Sequence, residues 1–218
     1  MTGVKRLLIV VGLCGLLALT GCSSVTVEVT VAGDATIDSY SVEATMPQTV
    51  FEQLQSQTEN GQSVCDSVRS DFNRSNYDEY DCSTRSSNGN VTLEYQLRNW
   101  NTSDFDRITV SRTGEGNVTY VDTLQSQSDV SDAQVTYTVQ MPGQVYETNG
   151  QVGDDGQTVT WKKEPGESNP RQVSAESGVS PGPLDFLSVR LAIATISFVL
   201  AGAYVGALRS DKFDIFDL

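Results

Sequence analysis

The chain has 218 residues, with 14 Lys+Arg against 28 Asp+Glu for a formal charge of −14, and it contains no histidine. That length suits one ordinary domain with extensions, or two small ones. Lack of histidine removes the usual general base, zinc ligand and pH switch. The acidic balance argues against nucleic acid as a partner, because phosphates require Lys and Arg.

At the start, Lys5 and Arg6 precede Leu7 to Leu19, thirteen uncharged and largely apolar residues. A short apolar run with a basic flank reads as a secretion signal rather than a spanning helix. It ends in Leu19-Thr20-Gly21-Cys22, which resembles the lipobox of bacterial and archaeal lipoproteins and predicts lipidation of Cys22. An ordinary cleaved signal, or an uncleaved helix, is the alternative.

Val25, Val27, Val29 and Val31 then alternate with polar residues at a strand's period of two. Ala32-Gly33-Asp34 is turn chemistry, and Ile37 to Met46 resumes an extended pattern, so the two runs predict a hairpin. A helix is expected over 47–58, with Val50, Phe51 and Leu54 on one side, broken at Asn60-Gly61. A second is expected over 62–72, where Val64, Val68 and Phe72 recur every four residues. Residues Tyr77 to Asp81 read as a solvated acidic loop, a better reading than a calcium site because EF-hand spacing is missing.

Alternation returns at Val91, Leu93, Tyr95 and Leu97. Further strands or short turns are expected over 105–110 and 118–124, then strands at 135–141, 145–146 and 158–161. Residues 165–183 hold four of the six prolines together with Gly and Ser, and read as a flexible stalk. Leu191 to Leu208 is eighteen residues without a charge; a membrane helix is expected over 184–208, with Arg209 and Lys212 placing the tail 209–218 in the cytoplasm. The expected fold class is α+β: a mainly antiparallel sheet with one or two covering helices, plus a C-terminal transmembrane helix.

Residues 23–183 carry 9 basic against 24 acidic side chains, and only 4 of the chain's bases are Lys. Such a surface fits adaptation to high salt, with attraction of cations or basic partners as the alternative. Cys14 lies in the signal, which leaves Cys65 and Cys82. Outside the cytoplasm two leftover cysteines usually pair, and two cysteines 17 positions apart without histidine fit no common zinc pattern, so a disulfide and no metal are expected. Asn73, Asn90, Asn101 and Asn117 each open an Asn-X-Ser/Thr sequon and are candidate glycosylation sites.

The segment from Val135 to Trp161 carries Met141-Pro142-Gly143, Val145, Asn149-Gly150 and Thr158-Val159-Thr160-Trp161. It resembles the closing portion of LppM-type lipoproteins, and the whole plan of signal, lipobox, domain, stalk and C-terminal helix is similar to that family. The resemblance implies an LppM-like domain over 23–164, facing outward from the cell membrane, that binds envelope lipids or glycolipids. A structural or partner-binding envelope protein is the alternative. The motif residues read as turn and packing positions: Pro142-Gly143 for a bend, Asn149-Gly150 for positive φ, Trp161 as a core packer. Without histidine, a Gly-X-Ser-X-Gly elbow or a phosphate loop, neither an enzyme nor a cofactor is expected.

Overall fold

The computed structural model describes residues 23–58, 61–103, 105–113, 116–124, 133–167 and 170–179. The chain divides after Val179, and every described residue belongs to the first unit.

The described residues form eleven strands and two helices. The strands β1 (Ser23–Val31) and β2 (Ile37–Pro47) make the expected hairpin. Helices α1 (Gln48–Gln57) and α2 (Val64–Ser70) follow, then a 3-10 turn (Arg74–Asn76). After them come β3 (Glu79–Ser87), β4 (Asn90–Trp100), β5 (Ile108–Arg112), β6 (Val118–Asp122), β7 (Ala133–Gln140), β8 (Val145–Thr148), β9 (Gln151–Val152), β10 (Thr158–Lys163) and β11 (Val173–Ser177). They make a seven-stranded sheet in the order β3-β4-β2-β1-β7-β10-β9 and a four-stranded sheet in the order β5-β6-β11-β8. Pairing is antiparallel except between β1 and β7, which run parallel.

Register gives the large sheet its two faces. Val27 stands opposite Val42 and Tyr137, Val42 opposite Tyr95, and Tyr137 opposite Trp161, so one apolar row crosses five strands. Successive side chains point to opposite faces, and the intervening Ser24, Thr26, Glu28 and Thr30 are half-buried or exposed. On that polar outer face Thr45 and Thr92 share a hydrogen bond and Arg85 pairs with Glu94 at 2.7 Å.

Helix α1 lies against β2 and β4, and α2 against β3. Val50 and Leu54 are buried on α1 and Val64 and Val68 on α2, each pair at the i, i+4 spacing that puts two side chains on one face. Ser63 caps α2 by accepting from the Asp66 backbone N–H. The two short helices cover only the β3-β4-β2 side, and the small sheet covers the β1-β7-β10 side.

The fold class is therefore corrected: the domain is predominantly β, with two sheets, and not α+β. Two helices could not shield a face seven strands wide, and the weakly alternating segments around 108, 118 and 173 supply the missing cover. The transmembrane helix also drops out of the class. No helix among the described residues is long and apolar enough to cross a membrane, and 184–208 lies outside them.

Two further expectations change. The acidic loop at 77–81 opens into β3, an edge strand whose side chains are almost all exposed, so it shows no hydrophobic alternation. Its turn is Asn88-Gly89, both residues at positive φ (51° and 76°), the pairing that a tight hairpin demands. The stalk expected over 165–183 contains β11, which hydrogen-bonds to both β6 and β8 and buries Val173, Ala175 and Ser177. Small and polar residues hid that strand.

Cys65 and Cys82 form the disulfide, with Cα atoms 5.7 Å apart, and tie α2 to the exposed edge strand β3. The Tyr80 hydroxyl reinforces the join by donating to the Cys65 carbonyl at 2.9 Å. Replacing both cysteines by serine is expected to lower the unfolding free energy by about 3 kcal/mol, the chain-entropy cost of a loop of this size. Urea denaturation measures it, and an unchanged midpoint would mean that packing alone holds this edge. The turn carboxylates Asp34 and Asp155 lie below the ordinary range because the hydroxyls of Thr36 and Thr158 donate to them. Their contribution to stability is complete above the ordinary carboxylate range and is lost as pH falls through their lowered values. Asp34→Asn with Asp155→Asn should flatten the acid limb of a pH–stability curve measured by the same denaturation.

Candidate functional site

Between the sheets lies a polar cluster set in an apolar wall. Strand β7 points Val135, Tyr137 and Val139 inward, and β6 points Val118, Tyr120 and Asp122 back at it. The Tyr137 hydroxyl donates to Asp122 Oδ2 at 2.8 Å. It also contacts the Tyr120 hydroxyl at 2.5 Å, and since its proton is already committed, Tyr120 is the donor there. Arg107, just before β5, clamps the same carboxylate with two bonds, Nε to Oδ1 at 2.6 Å and a terminal nitrogen to Oδ2 at 2.8 Å.

Asp122 is fully buried, whereas the Arg107 side chain is 23% exposed. Arg107 is thus the member of the pair with side-chain surface left open to water. Burial is the largest single influence and opposes its charge, but the bond to Asp122 together with the fields of Tyr40, Asp122 and Tyr137 outweighs it and raises the pKa. Burial likewise pushes the Tyr120 and Tyr137 hydroxyls well above their ordinary value, so both stay neutral donors.

Beside this cluster stands an aromatic one. Trp100 meets Tyr40, Phe72 and Phe105 at centroid distances of 5.2, 5.4 and 5.1 Å, and Tyr95 closes the group against Tyr40 and Phe72. Tyr40 links the two, because it also acts electrostatically on Arg107. Where helices give way to the second sheet, the wall is therefore aromatic with one cationic group at its edge. Tyr40, Phe72, Tyr95 and Trp100 are all buried, so these rings are part of the packed interior.

The motif at 141–161 performs a different task. Asn149 joins the sheets: its side-chain oxygen accepts from the Trp161 indole at 2.9 Å and from the Ser174 backbone at 3.0 Å, while its amide donates to the Gln172 carbonyl at 2.8 Å. Trp161 is 8% exposed and packs edge-on against Tyr137, as a core packer should. The reason expected for Gly150 is corrected. It is not at positive φ, and a Cβ there would lie 2.4 Å from the Trp161 ring, so close approach of backbone to indole excludes any side chain.

Of the other site residues, Cys22 lies outside the described residues. Asn73, Asn90 and Asn101 are exposed and Asn117 is half-buried. Among the described residues no group of three or more Cys, Asp or Glu is placed to hold a metal. Sequence reasoning missed Arg107 and Asp122. The available signal was the phase of Asp122, an acid two positions beyond Tyr120 on the inward side of its strand.

The fold defines a class of protein: a two-sheet β domain with a disulfide-braced edge. A family model described as the LppM domain matches residues 24–177, more than two thirds of the chain, and the chain belongs to that family. The NMR structure of the folded domain of LppM from Mycobacterium tuberculosis is similar at 19% identity, with a TM-score of 0.46, covering 76% of this chain and 94% of that one. No curated protein matches.

Breaking the buried pair from one side tests the cluster. Asp122→Ala leaves a partly buried guanidinium uncompensated and is expected to cost about 3–5 kcal/mol, whereas Arg107→Met combined with Asp122→Leu should cost far less. Denaturant curves for both variants decide the matter; a double variant as unstable as the single one would mean that the pair itself is strongly stabilising.

Proposed function

We propose that the chain is a lipoprotein of the cell surface, tethered to the membrane through Cys22, whose domain takes up an envelope lipid or glycolipid between the large sheet and its helices. The observation that carries this reading is the aromatic wall ending at the partly exposed Arg107. Tyr40, Phe72, Tyr95 and Trp100 are each under 10% exposed and touch one another, so an acyl chain enters only as these rings part, with a phosphate or polyol headgroup left at the guanidinium. Export is supported by the Cys65–Cys82 disulfide, a bond that the cytosol would keep reduced. Tethering is supported by Leu19-Thr20-Gly21-Cys22, which resembles a lipobox at the end of an apolar run. The reading is one of binding and not of catalysis: the carboxylate of Asp122, buried between the sheets, is fully engaged by Arg107 and Tyr137.

A second reading, a docking module for another envelope protein, is favoured by Tyr146 and Val152. They are 55% and 40% exposed on β8 and β9, which lie at sheet edges, the position at which strand addition occurs.

The chain's two tryptophans separate the readings. In Trp161→Phe, lipids brominated on the acyl chain should quench Trp100 emission, while in Trp100→Phe they should leave Trp161 unquenched. Native mass spectrometry of membrane-extracted protein should show one retained lipid. Absence of both retention and Trp100 quenching overturns the lipid reading and leaves the docking module.

A further inference from the structure

The four sequons fall into two structural kinds. In Asn90-Val91-Thr92 and Asn117-Val118-Thr119 the middle residue is a core side chain, with Val91 2% and Val118 0% exposed. Asn90 is paired in the sheet with Pro47 and Ser87, and the Thr92 hydroxyl is held by Thr45 at 3.0 Å. Asn73-Arg74-Ser75 and Asn101-Thr102-Ser103 lie outside the strands, with both asparagines and both serines exposed. In each the asparagine amide oxygen accepts from the backbone N–H of the serine two residues on, at 3.2 Å and 2.9 Å. At Asn73 it also accepts from the Ser75 hydroxyl at 2.9 Å. The two loops are fastened together by the Asn101 N–H, which donates to the Asn76 carbonyl at 2.7 Å.

We infer that the folded domain is an N-glycan acceptor at Asn73 and Asn101 and is closed to glycosylation at Asn90 and Asn117. A transferase must take the whole tripeptide into its own cleft, contacting the asparagine amide and the hydroxyl two residues on. For the strand sequons this requires drawing a core valine into water and opening the sheet ladder beside it. For the loop sequons no side chain of the tripeptide belongs to the core, and the curled backbone already brings the amide oxygen to the N–H of its serine. In the transfer, Asn Nδ2 attacks C1 of the first sugar of a polyprenyl-phosphate-linked oligosaccharide. The N–C1 bond forms as the C1–O bond to phosphate breaks, polyprenyl phosphate leaves with the electron pair, and the amide proton passes to a base of the transferase.

Both acceptors lie at one end of the large sheet. Strand β4 runs from Asn90, beside Pro47, to Trp100 beside Ile37, and β1 runs from Ser24 opposite Thr45 to Val31 opposite Ile37. The glycans therefore leave from the end opposite Ser23. The acceptor assignment stands apart from the lipid reading and does not depend on it.

The test uses the purified full chain with its disulfide intact, a lipid-linked oligosaccharide, and an oligosaccharyltransferase chosen because it modifies all four sequons as isolated peptides. Glycopeptide mapping by mass spectrometry should find glycan at Asn73 and Asn101 with at least tenfold lower occupancy at Asn90 and Asn117. N73Q and N101Q should each remove one glycan mass from the intact protein. Comparable occupancy at Asn90 or Asn117, or failure of transfer at either Asn73 or Asn101, overturns the inference.

Discussion

The register of the large sheet places Val27, Val42, Tyr95, Tyr137 and Trp161 in one continuous row, and the rest of the molecule is arranged to keep that row out of water. A face of this width is costly to hydrate, and two short helices reach only one side of it. The second sheet finishes the cover. It is gathered from distant parts of the chain: the β5-β6 hairpin comes first, β8 follows β7, and β11 returns from residue 173 to sit between β6 and β8. That last strand closes the small sheet, and its inward residues Val173, Ala175 and Ser177 are all buried there.

A composite cover has a seam, and the seam is where the buried charge pair sits. Asp122 receives two bonds from Arg107 and one from Tyr137, so burial of its charge is compensated on both oxygens. Such a pair adds little net stability compared with apolar residues of the same volume. The bidentate guanidinium and the Tyr120–Tyr137 hydroxyl pair join β6 to β7 across the two sheets. Within the cluster, Arg107 is the side chain that keeps some surface open to water.

The large sheet's inner strands were legible in the sequence because burial on one face imposes alternation: Val25 to Val31, Val91 to Leu97 and Val135 to Met141 all show it. Helices α1 and α2 were legible from their i, i+4 apolar pairs, and the disulfide from the two cysteines left after the signal region. Strand β3 was not, because an edge strand with both faces wet has no reason to alternate; Asn88-Gly89 was its real signal. Strand β11 was hidden by small residues close to prolines. The charge pair was illegible for a different reason: Arg107 and Asp122 are separated by a hairpin, and only the pairing of β5 with β6 brings them together.

The family motif illustrates how a local reading can be right about position and wrong about cause. Asn149 and Gly150 do mark a turn, but neither adopts positive φ. Asn149 is held because its side chain bonds to Trp161 on one sheet and to the Ser174 and Gln172 backbone beside the other. Gly150 is held because the indole occupies the space a Cβ would need. Asparagine, glycine and tryptophan thus form one joint between the two sheets. In this chain the motif fastens one sheet to the other.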